Sequence, residues 1–179
     1  MIDAVALAAA FDRAFALTAP GLGIRAGTPE DDDFLRTLFC RCSPLADLLP
    51  PPLLEQQAEI QLASHRHAHP TAMRRIATLA GQPIGHLIID WETPAGSNAV
   101  DVAVLPEYHG KGIGLHLLRA WLSVADLQQA PAWLQVLRDN PARRIYTRLG
   151  FVPSSDDDPD GPVMTMTRTP RARLDGSES

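Results

Sequence analysis

Apolar residues recur at helical spacing over residues 2–17 (I-D-A-V-A-L-A-A-A-F-D-R-A-F-A-L), and Ala19-Pro20-Gly21 ends that pattern with helix-breaking residues. A short strand, Leu22 to Ala26, follows. Thr28-Pro29-Glu30-Asp31 then supplies a capping hydroxyl, a first-turn proline and acids near the positive end of a dipole, which predicts a helix through about Phe39. After Pro50-Pro51-Pro52, the positions of Leu54, Ala58, Ile60 and Leu62 predict a helix over about 52–65. Two apolar runs, Arg75 to Leu79 and Pro83 to Trp91, flank Ala80-Gly81-Gln82 and read as an antiparallel hairpin. Residues 93–97 read as a flexible link, and Asn98 to Leu105 as a further strand. A helix over about 112–128 carries Ile113, Leu117, Leu118, Trp121 and Leu122 on one face. Trp133 to Leu137 is a strand, Asn140-Pro141 starts a helix that stops at Gly150, Phe151-Val152 begins a strand, and Val163 to Thr169 closes the sheet. From Arg171 onward the composition is that of a disordered tail.

Between the strand that ends at Leu105 and the helix that follows lies V-L-P-E-Y-H-G-K-G-I-G, residues 104–114. Gly110, Gly112 and Gly114 leave little bulk over the first helical turn, so backbone N–H groups and the helix dipole are open to an anion. Pro106 has no N–H and ends the strand before the turn. The turn therefore predicts a phosphate or pyrophosphate cradle.

Composition narrows the picture. With 179 residues and 45% apolar content, the chain suits one globular domain. A formal charge of −5 gives no sign of a nucleic-acid partner. No run approaches the roughly 20 apolar residues of a spanning helix. Asp3, Asp12 and Arg13 interrupt the first helix in a way unlike an export signal, so no membrane association and a cytoplasmic location are expected. Cys40 and Cys42 do not match metal or redox spacing. His65, His67 and His69 would share one side of an extended segment, but Pro70 and polar surroundings place them in an exposed loop, and no metal is expected. Asp31, Asp32 and Asp33 read as first-turn charge.

The stretch D-V-A-V-L-P-E-Y-H-G-K-G-I-G-L-H-L-L, followed by L-Q-V-L-R-D-N-P-A-R-R-I-Y-T-R-L-G-F, resembles the acetyl-CoA-binding core of the GNAT superfamily of N-acetyltransferases. The resemblance spans roughly residues 22–169 and is strongest between Ala99 and Val152. It implies an α/β fold: a mixed, mostly antiparallel central sheet flanked by helices, with splayed central strands that bind acetyl-CoA, plus an extra N-terminal helix. Residues 1–20 form the helical extension, 21–170 the acetyltransferase domain and 171–179 the tail.

By the same resemblance, Val102, Ala103 and Val104 offer main-chain groups to the pantetheine arm, and Gly110, Lys111, Gly112, Ile113, Gly114 and Leu115 hold the pyrophosphate. His109 stands where relatives carry Arg or Gln, which predicts weaker CoA binding at alkaline pH. Asn140 corresponds to a pantetheine-binding asparagine and also suits a helix cap, although Asp139 occupies the commoner spacing from the tyrosine. Tyr146 matches the family tyrosine that protonates the departing thiolate; packing beside Leu149 and Phe151 is its structural alternative.

The positions where relatives carry a basic glutamate hold Gln135 and Asn98, which leaves Asp101, Asp90, His86 or a water chain to accept the proton. Alternation sets Asp101 on the face opposite Val102 and Val104. The implied reaction is direct acetyl transfer to a primary amine of a small molecule or amino acid. A protein N-terminus or lysine as acceptor, and a CoA-binding module without catalysis, are the alternatives. Residues 45–70 and the acidic loop 154–161 would set acceptor choice, and a homodimer is expected from the family.

Overall fold

Asp3 accepts the amide N–H of Val5 and opens helix α1 (Ala4–Thr18). The chain continues through β1 (Leu22–Ala26), α2 (Asp32–Cys42), α3 (Pro51–Ala68), β2 (Met73–Leu79), β3 (Gln82–Thr93), β4 (Gly96–Val104), α4 (Ile113–Gln128), β5 (Ala132–Leu137), α5 (Arg143–Arg148), β6 (Val152–Pro153) and β7 (Val163–Arg168). This computed structural model describes residues 3–172. The strands form one seven-stranded sheet in the order β1-β2-β3-β4-β5-β7-β6. Only β4 and β5 run parallel; every other neighbouring pair is antiparallel. The mixed, mostly antiparallel sheet flanked by helices is the expected architecture.

Strand alternation sorts the two faces. Ala77, Leu87 and Ile89 turn to one side and pack with Phe11 and Phe15 of α1 and with Leu117, Trp121 and Val124 of α4. Ile76 turns to the other and meets Leu35 of α2 and Leu62 of α3. The extra N-terminal helix is thus seated in the main core, because its two phenylalanines, four residues apart, are both fully buried.

Polar contacts lock the far half of the sheet. Trp121 donates its indole N–H to Ser97 Oγ on β4 at 3.0 Å, and Trp133 on β5 donates to Thr93 Oγ1 at 2.9 Å. Arg168, 6% exposed, holds Asp126 of α4 through two hydrogen bonds and donates a third to the carbonyl of Leu149. The Asp31 carboxylate pairs with both terminal nitrogens of Arg25 and accepts the Thr28 amide, so the acidic run is capping charge.

Four expectations change. The helix over 52–65 runs on to Ala68, so His65 and His67 stand on helix α3 about 200° apart and His69 is its C-terminal cap. Residues 93–97 are a tight β3–β4 connection in which Thr93 pairs with Gly96. Gly96 has a φ of 108°, and a Cβ there would meet the Pro131 carbonyl oxygen at 2.2 Å, a close approach that only glycine permits. The helix from Asn140 narrows to Arg143–Arg148, with a hydrogen-bonded turn before it. At the C-terminal end, the Arg171 amide donates to Asp126 at 2.8 Å; the tail expected beyond residue 172 lies outside the described residues.

Replacing Phe15 by Ala is expected to cost about 3–5 kcal/mol of unfolding free energy, because it empties a large core position. Urea denaturation measures it. A loss under about 1 kcal/mol would mean that α1 is not an integral part of the core.

Candidate active site

The central parallel pair is short. Ser97, Asn98 and Ala99 of β4 pair with Ala132, Trp133 and Leu134 of β5, and the pairing then ceases. It ceases where β4 bulges: Ile89 pairs with Ala99 and Ile88 with Asp101, which leaves Val100 without a partner on β3. A bulge bends its strand and increases the twist, so β4 turns away from β5 beyond this point. Gln135 to Leu137 stay paired with β7, and a gap opens between the central strands.

The Leu105 amide donates to the Ile84 carbonyl at 2.8 Å, which fixes the phase of the β3–β4 ladder. Backbone groups alternate along an antiparallel pair. Those of Asp101, Ala103 and Leu105 therefore serve β3, while those of Val102 and Val104 face the gap. The Val104 carbonyl confirms the direction, since it accepts from His109 Nε2 at 2.7 Å and from Cys42 Sγ at 3.2 Å. Val102 and Val104 thus turn main-chain groups away from β3. Ala103 does not, and contributes its side chain to the opposite wall.

At the gap's end, Pro106–Tyr108 forms one 3-10 turn, and Gly110 and Gly112 take φ values of 75° and 79° before α4. The first intrahelical bond runs from the His116 amide to the Gly112 carbonyl, leaving the amides of Ile113, Gly114 and Leu115 at an open helix N-terminus. The Ile113 side chain is buried in the core, so only its backbone serves an anion. Lys111 lies over the Tyr108 ring at 4.8 Å and adds positive charge beside the turn. Glu107 and Arg41 tie the turn to α2 at 2.9 Å. His109 differs from the expectation. Its exposed ring spends Nε2 on Val104 because the turn folds it back over the strand end, so it braces the gap in this structure.

Tyr146 lies in the main core, 7% exposed, edge-on to Phe151 at 6.2 Å between ring centres. Its phenol is pushed up to about 12, by burial first and by the Asp101 charge second. Both proposed roles, packing and donation, are therefore compatible with its place. Asn140 uses Oδ1 to accept the Ala142 amide at 2.9 Å, as a turn cap, which leaves its NH₂ group uncommitted.

The groups left open as proton acceptors separate clearly. Asp90 binds His69 Nδ1 at 2.7 Å and accepts the Glu92 amide at 2.9 Å, which is a structural tie between α3 and β3. Asn98 lies in the closed part of the β4–β5 pair and Gln135 is exposed beyond it. His86 and Asp101 come together instead, with Nε2 3.0 Å from Oδ2. Sequence reading missed this pair because it depends on cross-strand register: His86 opposes Ala103 and Ile88 opposes Asp101, so the two side chains are diagonal neighbours on one face. The alternating pattern in H-L-I-I-D and D-V-A-V was the available signal.

Burial works to raise the Asp101 carboxyl, but His86, together with His65 and the Val102 amide, carries it below its ordinary value. His65 is itself lowered by burial, and the Cys42 thiol is raised by burial and by Asp101. Both are accordingly neutral near pH 7. The pair borders a cavity of about 220 Å³ between α2, α3 and β4, walled by Leu35, Leu38, Phe39, Cys42 and Leu62. In the acidic loop, Asp157 is committed to Arg138 and to the Thr165 amide. Among the described residues, no group of three His, Cys, Asp or Glu is placed to hold a metal.

Residues 73–153 match the family model of the acetyltransferase (GNAT) domain. Solved structures agree on the fold. PaiA N-acetyltransferase from Thermoplasma acidophilum, in complex with coenzyme A, superposes with a TM-score of 0.67 at 18% identity over 83% of this chain and 98% of that one. Ard1 from Thermoplasma volcanium gives 0.61 at 22% over 85% and 99%. The ribosomal-protein-S18-alanine N-acetyltransferase from Escherichia coli gives 0.62 at 18% over 88% and 99%. A search of curated proteins finds no match.

Replacing Gly112 by Ala forces an alanine into the left-handed region and is expected to cost about 1–2 kcal/mol of stability. It should also weaken CoA binding several-fold by displacing the α4 N-terminus. Denaturation together with calorimetric titration of CoA reads both; unchanged affinity would remove this turn from the phosphate site.

Proposed function

We propose that the chain, whose residues 73–153 match the GNAT acetyltransferase domain, is an N-acetyltransferase that uses acetyl-CoA and transfers the acetyl group directly to the primary amine of a small molecule or amino acid. The observation that carries this reading is the gap between β4 and β5, with the backbone of Val104 on one edge and the α4 N-terminus at its end.

In this reading the free amides of α4 and Lys111 hold the pyrophosphate, and the β4 backbone together with the Asn140 NH₂ group receives the pantetheine arm. The backbone N–H at Val104 polarises the thioester carbonyl, where negative charge develops during attack. Fixed juxtaposition of amine and thioester supplies much of the remaining acceleration. Tyr146 donates a hydrogen bond to the departing sulfur. The neutral amine attacks and sheds one proton to water, to Asp101 or to His86, while a phenol near 12, which does not readily surrender its proton to a thiolate whose conjugate acid lies at about 8.5, stabilises the leaving charge and solvent protonates the thiolate. No covalent enzyme intermediate is needed, and neither cysteine acts as nucleophile.

The small volume of the cavity beside Asp101, about 220 Å³, supports a small acceptor over a protein one. A peptide N-terminus or lysine is the second reading, favoured by the fold shared with the E. coli ribosomal-protein enzyme. A CoA-binding module without catalysis is the third, suggested by Gln135 and Asn98 at the two positions where relatives carry a base. We place the protein in the cytoplasm, consistent with two free cysteines and with the lack of any membrane-spanning helix among the described residues. Assembly as a homodimer follows the habit of the family, and its solution mass decides it.

Thiol release from acetyl-CoA should be fastest with small amines or amino acids when these are compared with peptides and proteins. Turnover confined to peptides would establish the second reading, and saturable CoA binding without turnover across the panel would establish the third. Tyr146→Phe should lower kcat roughly 10- to 100-fold with unchanged acetyl-CoA affinity. Since the raised phenol keeps its proton until well above its ordinary value, Tyr146 itself should introduce no loss of rate between about pH 8 and 10. Full kcat in the phenylalanine variant would exclude the donor role.

A further inference from the structure

We propose that the cavity between α2, α3 and β4 selects a compact primary amine with an apolar body, its ammonium group received by Asp101, which His86 positions. The inference rests on the acetyltransferase reading and narrows it to an acceptor without a second charge.

A carboxylate in the middle of a core strand is costly unless something compensates it. Asp101 has one partner of opposite potential, His86 at 3.0 Å on Oδ2, and its side chain keeps 35% of its surface open at the cavity. His86 is 3% exposed, and its Nδ1 is buried without a partner. The ring is therefore fixed through Nε2, and its position serves to hold the carboxylate. None of the cavity's lining residues is Lys or Arg. Cys42 and His65, which face Asp101 from α2 and α3, are both held neutral by burial. Such a site favours a cation at Asp101, with Ser43 and Gln61 as neutral polar groups elsewhere in the lining.

The remaining wall sets the body of the ligand. Leu35, Leu38, Phe39 and Leu62 close a space of about 220 Å³. A dry apolar cavity of roughly 150 Å³ takes a benzene ring, so this one has room for about six to ten non-hydrogen atoms. An amino acid would bring its carboxylate beside Asp101 with no compensating cation, and a polyamine would bury a second ammonium against leucines. Both are disfavoured on charge, not on size. The place is also right for transfer. Asp101 directly precedes Val102, whose backbone faces the gap, and its charge is felt at Tyr146.

Competition and turnover with phenethylamine, 2-phenylethanol, phenylalanine and spermidine test the assignment. Wild-type protein should bind phenethylamine by calorimetry without acetyl-CoA, prefer it over 2-phenylethanol and phenylalanine by about tenfold or more, and reject spermidine. Asp101→Asn should abolish the preference for ammonium over alcohol and raise the amine KM about tenfold or more while leaving acetyl-CoA affinity unchanged. His86→Gln should weaken the preference partially. Leu62→Trp, which fills the cavity and leaves the charge, should block phenethylamine alone and serves if the Asp101 variant does not fold.

An Asp101→Asn protein that folds and retains the ammonium preference overturns the proposal, as does wild-type turnover that favours amino acids or polyamines. The two readings fail separately. Phenethylamine binding that needs Asp101, without turnover of any amine, would sink the acetyltransfer reading and keep the cavity assignment; amine turnover indifferent to Asp101 would do the reverse.

Discussion

Everything at this site depends on the loss of pairing between β4 and β5 after Ala99 and Leu134. A sheet that opens at its centre exposes main-chain donors and acceptors where water has poor access, and each must find a partner. The bulge at Val100 starts the divergence, and the closed end is fastened on both sides: Trp121 to Ser97, Trp133 to Thr93, and Arg168 to Asp126 across the α4–β7 layer. The open end is fastened only at the Val104 carbonyl, by His109 and Cys42. The Val104 amide faces the opening, while the Val102 amide also lies against the Asp101 carboxylate.

This division explains which parts of the protein were legible in its sequence. Binding by backbone demands little of side chains: glycine where φ is positive at Gly110 and Gly112, a proline to end the strand at Pro106, and an apolar helix to anchor the turn. Those are local signals, and they read directly. The strict alternation of β5, buried at Ala132, Leu134 and Val136, is equally local, as is the buried face of α4. Solved structures of 18–22% identity share this fold.

What the sequence concealed is made by contacts distant along the chain. His86 and Asp101 are 15 residues apart and meet only because the β3–β4 register sets them diagonally on one face. His109 looked like a phosphate ligand because position was its only clue; its bond to Val104 requires the turn to fold back over the strand end. The histidines after residue 64 looked like a loop because Pro70 and polar neighbours weigh heavily in a short window, whereas Leu54, Ala58 and Leu62, buried on one face of α3, keep the helix going to Ala68.

The two sides of the gap are also coupled through charge. The Asp101 carboxylate lies close enough to Tyr146 to contribute to the rise of its phenol, second only to burial. If an ammonium group neutralises Asp101 in the proposed arrangement, that contribution disappears, and the phenol becomes a somewhat stronger donor when an acceptor is in place. Linkage requires the reverse as well: whatever negative charge gathers near Tyr146 as the sulfur departs is more easily borne with Asp101 compensated than with it bare. In the proposed arrangement a carboxylate on β4 and a tyrosine on α5 would thereby bear on the same step. Burial makes this possible, because a charge separated from the phenol by core and not by water is poorly screened.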